Sequence, residues 1–128
     1  MAKKRWVGLV VAAGLLMTSR LLFAHHSLAI YRGETAITLT GIATEFVFAQ
    51  PHALIRFDVK DANGNVESWT VETGGPRRLV NAGWDKDTVK PGDQITIIGR
   101  PAKDGRRMMF LQRLVVNGKE YRGGRRRN

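Results

Sequence analysis

The chain has 128 residues and a formal net charge of +10, and 43% of its residues are hydrophobic. Its length suffices for one small domain around a single hydrophobic core. It contains no cysteine, which excludes disulfide bonds, a cysteine nucleophile and a lipid-modified cysteine at the start of an exported chain.

The basic residues are concentrated at the two ends of the chain. Four of the 21 lysines and arginines lie in residues 1–24, which leaves 17 basic against 11 acidic residues in the remainder. Four more lie in residues 122–128, so the part between has 13 basic against 11 acidic residues and is close to neutral. This distribution does not favour a nucleic-acid-binding domain, and nucleic acid is not an expected partner.

Residues 1–24 have the three parts of a secretory signal peptide. Residues 3–5 are positively charged, residues 7–17 form an uncharged apolar stretch, and Ala24 supplies the small residue at the cleavage position. We expect a signal-peptide helix that is removed on export. The mature chain would then begin at His25, in the periplasm or outside the cell.

A retained membrane anchor is the alternative interpretation of this leader. A helix that crosses a bilayer needs about 20 apolar residues. Here Thr18, Ser19 and Arg20 end the apolar stretch after eleven residues. The sequence therefore favours cleavage, with no stable membrane span in the mature protein.

Alternating apolar and polar residues predict β-strands through most of residues 36–121. Residues 53–60 alternate regularly, which gives a strand with one apolar face. Asn63-Gly64 follows, a pair typical of tight hairpins because both turn positions need positive φ. Residues 66–72 form the predicted return strand.

The first strand is predicted to be long and bent. Ile37 and Leu39 share one phase of the alternation, whereas Ile42 and Phe46 are in the opposite phase. Gly41 lies between the two sets, and glycine is common where a strand bulges. We therefore predict a bulge or sharp bend at Gly41.

One short helix is predicted at residues 76–82. Gly74-Gly75 precede Pro76, which is a favourable first helical residue, and Gly83 can end the helix. Further strands are predicted at residues 95–98 and 108–116.

The predicted element order is that of an OB-fold, a mainly β, five-stranded Greek-key barrel with one short helix. A last hairpin arm is predicted at residues 119–121, and a small open β-sandwich is the alternative architecture. The mature chain divides into an N-terminal segment (25–35), the barrel domain (36–121) and a basic tail (122–128), whose lack of apolar residues predicts disorder. The predicted interior residues are Ile55, Phe57, Val59, Val71, Ile95, Ile97 and Leu114.

Several short segments, spread over most of the mature chain, together carry a resemblance to a known family. They are Ala24-His25-His26-Ser27, Leu39-Thr40-Gly41, Glu45-Phe46, Pro51-His52, Trp69, Glu72-Thr73-Gly74, Gly83-Trp84, Pro91-Gly92-Asp93 and residues 99–105. The chain resembles domain-of-unknown-function family 6152, a group of small exported bacterial proteins. The resemblance implies export and a β-barrel domain, and it implies no established activity.

The three histidines are the candidate metal ligands, and His25, His26 and His52 all lie within those segments. Imidazole nitrogen suits copper, nickel and zinc, and copper(II) heads the affinity order. A mature chain that starts at His25 offers its α-amine and its ring to one metal ion. His52 or His26 would supply a third nitrogen, which resembles the histidine brace of exported copper proteins.

A simpler role is the alternative for each of these side chains. His25 and His26 would merely follow the cleavage position, and His52 would occupy a turn. Chain length permits the metal site, because residues 25–35 are long enough to run back along much of the first strand.

Met108 and Met109 offer thioether sulfur, but adjacent strand residues point to opposite faces, and core packing is their favoured role.

Arg77 and Arg78 are candidate anion ligands at the start of the predicted helix. They would suit an anionic glycan or lipid surface, which the arginines of the C-terminal tail would also contact. The opposing interpretation is an ordinary strand-to-helix connection. Trp69 and Trp84 are expected in the core rather than on a stacking surface.

The sequence therefore predicts an exported β-barrel binding protein whose partner is a metal ion or small ligand, with copper bound through the mature N-terminal histidine. The alternatives are a binding module for an anionic glycan or lipid surface and a copper-dependent oxidoreductase. No Ser-His-Asp arrangement or carboxylate pair stands out in the sequence, so an enzyme is not expected.

Overall fold

The computed structural model describes residues 28–123. Its six strands are β1 (Ile37–Val47), β2 (Leu54–Lys60), β3 (Val66–Glu72), β4 (Gln94–Pro101), β5 (Met108–Val116) and β6 (Lys119–Arg122). The helix α1 (Pro76–Asn81) lies between β3 and β4. The predicted signal peptide, His25, His26 and residues 124–128 lie outside the described residues. Within residues 28–123, no helix is both long and apolar enough to cross a membrane.

The strands close into a barrel. Antiparallel pairs join β1 to β2, β2 to β3, β1 to β4 and β4 to β5. A parallel pairing of β3 with β5 completes the ring, in the order β1-β2-β3-β5-β4. This confirms the predicted five-stranded OB-fold-like barrel rather than an open sandwich. β6 pairs with β5 outside the ring and extends through Arg122, into the segment predicted as tail.

The barrel interior is the hydrophobic core. Of the seven predicted interior residues, Val59 is half-buried and packs against the core, and the other six are buried. Leu79 of α1 and Trp84 beyond it are buried in the same cluster. The helix therefore contributes to the core of the barrel instead of lying on its surface.

The phase change in β1 is three residues later than predicted. Thr44 is the extra residue, since Ala43 pairs with Phe57 and Glu45 with Arg56. Ile42 is 46% exposed, so its assignment to the second phase was wrong.

Gly41 has a different role in β1 from the predicted one. A Cβ at Gly41 would lie 2.2 Å from the Asp58 carbonyl oxygen, so glycine allows β1 and β2 to approach closely there.

The end of α1 follows from its sequence. Gly83 has φ of 90°, a conformation that glycine adopts without steric cost. Gly83 N–H donates to the Val80 carbonyl, and Trp84 N–H donates to the Leu79 carbonyl. These two bonds form a Schellman motif, which ends the helix and directs Trp84 into the core.

Candidate functional site

The segment 28–33, which is helical at residues 28–29 and forms a turn at residues 30–33, packs against the outside of the barrel. The Lys103 N–H donates to the Ile30 carbonyl oxygen over 2.8 Å. Tyr31 is only 3% exposed, and its ring centre lies 5.8 Å from that of Phe110. The described part of the predicted N-terminal segment is thus held on the barrel at Tyr31.

Tyr31 covers the seam at which the barrel closes. Glu72 of β3 and Phe110 of β5 are partners in the parallel pairing. The Tyr31 hydroxyl donates to Glu72 Oε2 over 3.1 Å, while its ring packs beside Phe110. Burial, followed by the negative charge of Glu72, raises the pKa of the Tyr31 phenol above its ordinary range. Tyr31 is therefore a neutral donor to a largely buried carboxylate.

His52 faces the other oxygen of the same carboxylate. Its Nδ1 lies 2.9 Å from the Thr73 carbonyl oxygen, which can only accept, so Nδ1–H is the donor. In the neutral ring this leaves Nε2 with a free lone pair. Nε2 is 4.0 Å from Glu72 Oε1, and 31% of the His52 side chain is exposed. The ring nitrogen best suited to a ligand is thus directed at a carboxylate.

Backbone contacts hold His52 beside Glu72. His52 precedes β2 and Glu72 ends β3, and the two strands are paired antiparallel. Thr73 N–H donates to the Ala53 carbonyl over 3.0 Å, and the buried Thr73 hydroxyl donates to the Gly74 carbonyl over 2.7 Å. The turn before β2 is therefore fixed against the end of β3.

We name Tyr31, His52 and Glu72 the seam cluster. Its carboxylate has a donor on one oxygen and an imidazole nitrogen facing the other, an arrangement that leaves space for a metal cation between Nε2 and Oε1. Within residues 28–123, no group of three or more His, Asp or Glu side chains is arranged to hold a metal ion. The cluster supplies two such groups, and the predicted ligands His25 and His26 lie outside the described range.

A groove beside the seam cluster is strongly basic. Its volume is about 590 Å³. We call it the arginine groove, because its lining includes Arg32, Arg78, Arg100, Arg113 and Arg122.

The remaining six lining residues are all uncharged. They are Leu28, Tyr31, Phe110, Leu111, Gln112 and Gly123.

The two predicted anion ligands on α1 are separated by the structure. Arg78 lines the arginine groove, whereas the exposed Arg77 is outside its lining. Sequence reasoning considered Arg122 as part of the basic tail, but it missed Arg32, Arg100 and Arg113, because they come from separate segments and no local pattern links them.

The sulfur and indole side chains considered from the sequence are part of the packing. Met109 is fully buried, and Met108, on the opposite face of β5, is half-buried. Trp84 is 2% exposed, and its indole N–H donates to the Arg122 carbonyl over 2.9 Å. Trp69 is half-buried against the core.

Comparison with known proteins agrees with the sequence resemblance. No curated protein matches the chain. The family described as Family of unknown function (DUF6152) matches residues 13–111, which is more than half of the chain and includes four of the five barrel strands and part of the fifth. The chain therefore belongs to the family of unknown function DUF6152.

Proposed function

We propose that the protein is an exported copper-binding protein. One copper(II) ion is bound by the α-amine and ring of a mature N-terminal His25, and His52 supplies the third nitrogen. The observation that carries this proposal is the hydrogen bond from His52 Nδ1 to the Thr73 carbonyl, 2.9 Å long. Metal-bound histidines commonly donate their second ring nitrogen to such an acceptor, which fixes the ring and leaves the other nitrogen for the metal.

The length of the chain is compatible with this site. Tyr31 is six residues after His25, and six residues span at most about 20 Å. Tyr31 bonds to Glu72, whose other oxygen is 4.0 Å from His52 Nε2. The amine of His25 therefore has the reach to meet His52. His26 is the alternative source of the third nitrogen.

Glu72 has a supporting role in this proposal. A copper(II) ion held only by neutral nitrogens keeps its full double charge, and a nearby carboxylate offsets part of it. The Tyr31 hydroxyl holds one Glu72 oxygen at 3.1 Å and leaves the other on the side of His52. Glu72 thus increases the affinity of the site for a dication.

Copper binding is tested with three forms of the protein: the chain that starts at His25, the same chain with an added N-terminal Met, and His52→Ala. Intact mass of the exported protein first establishes the start. We expect one copper(II) per native-start chain, and at least about tenfold weaker affinity in the other two forms, with altered electron paramagnetic resonance spectra. Affinity should also fall as pH is lowered below about 8, where the amine protonates, and more steeply below about 6.5, where imidazole protonates, because both nitrogens must lose protons to bind metal.

Gln50→Ala is the matched control, since Gln50 is an exposed residue of the same turn as His52. It should leave copper affinity unchanged. Identical spectra and affinities in the native-start, Met-extended and His52→Ala proteins would contradict the proposal. If the mature chain starts several residues beyond His26, the first proposed ligand, the α-amine and ring of His25, is absent and the proposal fails.

A further inference from the structure

The arginine groove collects positive charge without matching negative charge. Five arginines line it, and its lining includes no aspartate or glutamate among the described residues. Of these five arginines, only Arg113 has a carboxylate partner among the described residues, with Glu120 at 3.7 Å. Outside the groove, Arg56, Arg106 and Arg107 each pair with a carboxylate, and Arg77 does not. Pairing is thus common elsewhere on this surface and rare in the groove.

The strand register increases this charge concentration. Arg113 of β5 and Arg122 of β6 are direct cross-strand partners. Like charges directly opposite each other destabilise an antiparallel pair. Glu120, half-exposed and 3.7 Å from Arg113, offsets only part of this repulsion. An anion bound between the guanidinium groups of Arg113 and Arg122 would offset the remaining repulsion.

The groove also has an apolar side. Leu28 is 38% exposed, and Phe110 and Leu111 line the groove beside it. A volume of about 590 Å³ lies within the range of small-molecule sites. Guanidinium groups bind phosphate through paired hydrogen bonds, and several of them together favour more than one negative charge.

We propose that the arginine groove binds a small molecule that carries a phosphate or diphosphate group on an apolar body. The phosphate oxygens are held by the guanidinium groups of Arg78, Arg100, Arg113 and Arg122, and the apolar body lies against Leu28 and Phe110. Such a ligand is either a free phosphorylated molecule or the head group of a lipid. This site shares Tyr31 with the seam cluster, but it does not require copper and depends on described residues alone.

Calorimetric titration of the full chain, without added metal, tests the groove. Geranyl diphosphate probes charge and apolar body together, pyrophosphate probes charge alone, and phosphatidylcholine vesicles with phosphatidylglycerol probe the lipid source. We expect saturable one-to-one binding of geranyl diphosphate, weaker binding of pyrophosphate, and loss of affinity at high salt. Arg78→Gln and Arg100→Gln should each weaken geranyl diphosphate binding at least about tenfold.

Arg77→Gln is the matched control, because Arg77 neighbours Arg78 on α1 but lies outside the groove lining. It should change affinity less than about twofold. Arg100→Lys keeps the charge without the paired donors and should bind with intermediate affinity. Thermal unfolding checks that each variant is folded. Vesicle binding that shows the same dependence on Arg78 and Arg100, alongside soluble binding, would identify a lipid head group as the source.

Two results would overturn the proposal. One is an equal loss of affinity in Arg77→Gln and Arg78→Gln, which would indicate attraction by net charge alone. The other is the absence of saturable binding of both soluble probes, together with no vesicle binding that depends on Arg78 and Arg100.

Discussion

Tyr31 connects the two candidate sites of this protein. Its hydroxyl donates to Glu72 of the seam cluster over 3.1 Å, and its ring lines the arginine groove. Tyr31 is 3% exposed, so both contacts are largely shielded from bulk water. A change at this one residue therefore reaches both sites.

Tyr31→Phe should reduce stability and change its dependence on pH. At neutral pH the variant loses a donor to a largely buried carboxylate, which costs about 1–3 kcal/mol. The unfolded chain releases the phenol proton near a pKa of 10, whereas the folded wild-type chain retains it because its pKa is raised. The free energy of unfolding of the wild type should therefore fall as pH rises above about 10.

Tyr31→Phe lacks the phenol, so its free energy of unfolding should fall less than that of the wild type as pH rises above about 10. Urea unfolding of both proteins between pH 8 and 11 measures the difference, and groups common to both cancel in the comparison. Curves that stay parallel over this range would refute the contribution of Tyr31.

The sequence identified one residue of the seam cluster from its chemistry. His52 was found because histidine is rare in this chain and suits metals. Glu72 appeared only within a segment that carries the family resemblance. Tyr31 was missed, because its contact with Glu72 joins residues 41 positions apart and depends on how the N-terminal turn packs. Such a contact leaves no periodic signal in the sequence.

At the scale of elements, β2 provides the most direct test of the barrel interior. Phe57 is fully buried, and Phe57→Ala should lower the free energy of unfolding by about 3–5 kcal/mol, since the cavity cannot close completely. Val66 of β3 is 58% exposed, and Val66→Ala should cost less than about 0.5 kcal/mol. Urea unfolding measures both. A cost below about 1 kcal/mol for Phe57→Ala would mean that the faces of β2 are misassigned.

Alternation predicted most of the elements because each strand has one face on the core. β1 and β5 are the exceptions, since one extra residue in each, Thr44 in β1 and Gln112 in β5, shifts the phase without a distinctive local sequence. Gly41 was the predicted position of the bulge in β1, but its small size is needed for contact with the Asp58 backbone. A glycine in a strand thus indicates either a bulge or a close approach, and only the pairing register separates the two.

At the scale of the whole molecule, the net charge does not reveal where the charges lie on the folded surface. The segment between the leader and the tail has 13 basic against 11 acidic residues, which suggests a neutral surface. Folding nevertheless brings four arginines of this segment and Arg122 of the predicted tail into one groove, from the N-terminal turn, α1, β4, β5 and β6. The groove could not be predicted from charge counts, because it depends on tertiary neighbours that are distant in sequence.

The C-terminal end of the barrel can be separated from the tail by two truncations. Residues 124–128 contain no apolar side chain, so their removal should change the melting temperature by less than about 2 °C. The cut belongs after Gly123, which is buried and donates its N–H to the Gln112 carbonyl over 2.9 Å. Removal of residues 121–128 should instead lower the melting temperature by at least about 5 °C.

The larger fall in melting temperature on removing residues 121–128 follows from the contacts of Trp84. Its indole N–H would lose the Arg122 carbonyl as acceptor, and its ring would lose Tyr121, whose centre is 5.5 Å away. Differential scanning calorimetry of the two truncations and the intact chain measures the effect. Equal melting temperatures in both truncations would show that β6 contributes nothing to the barrel. A fall of several degrees on removing residues 124–128 alone would show that the tail itself stabilises the fold, contrary to its composition.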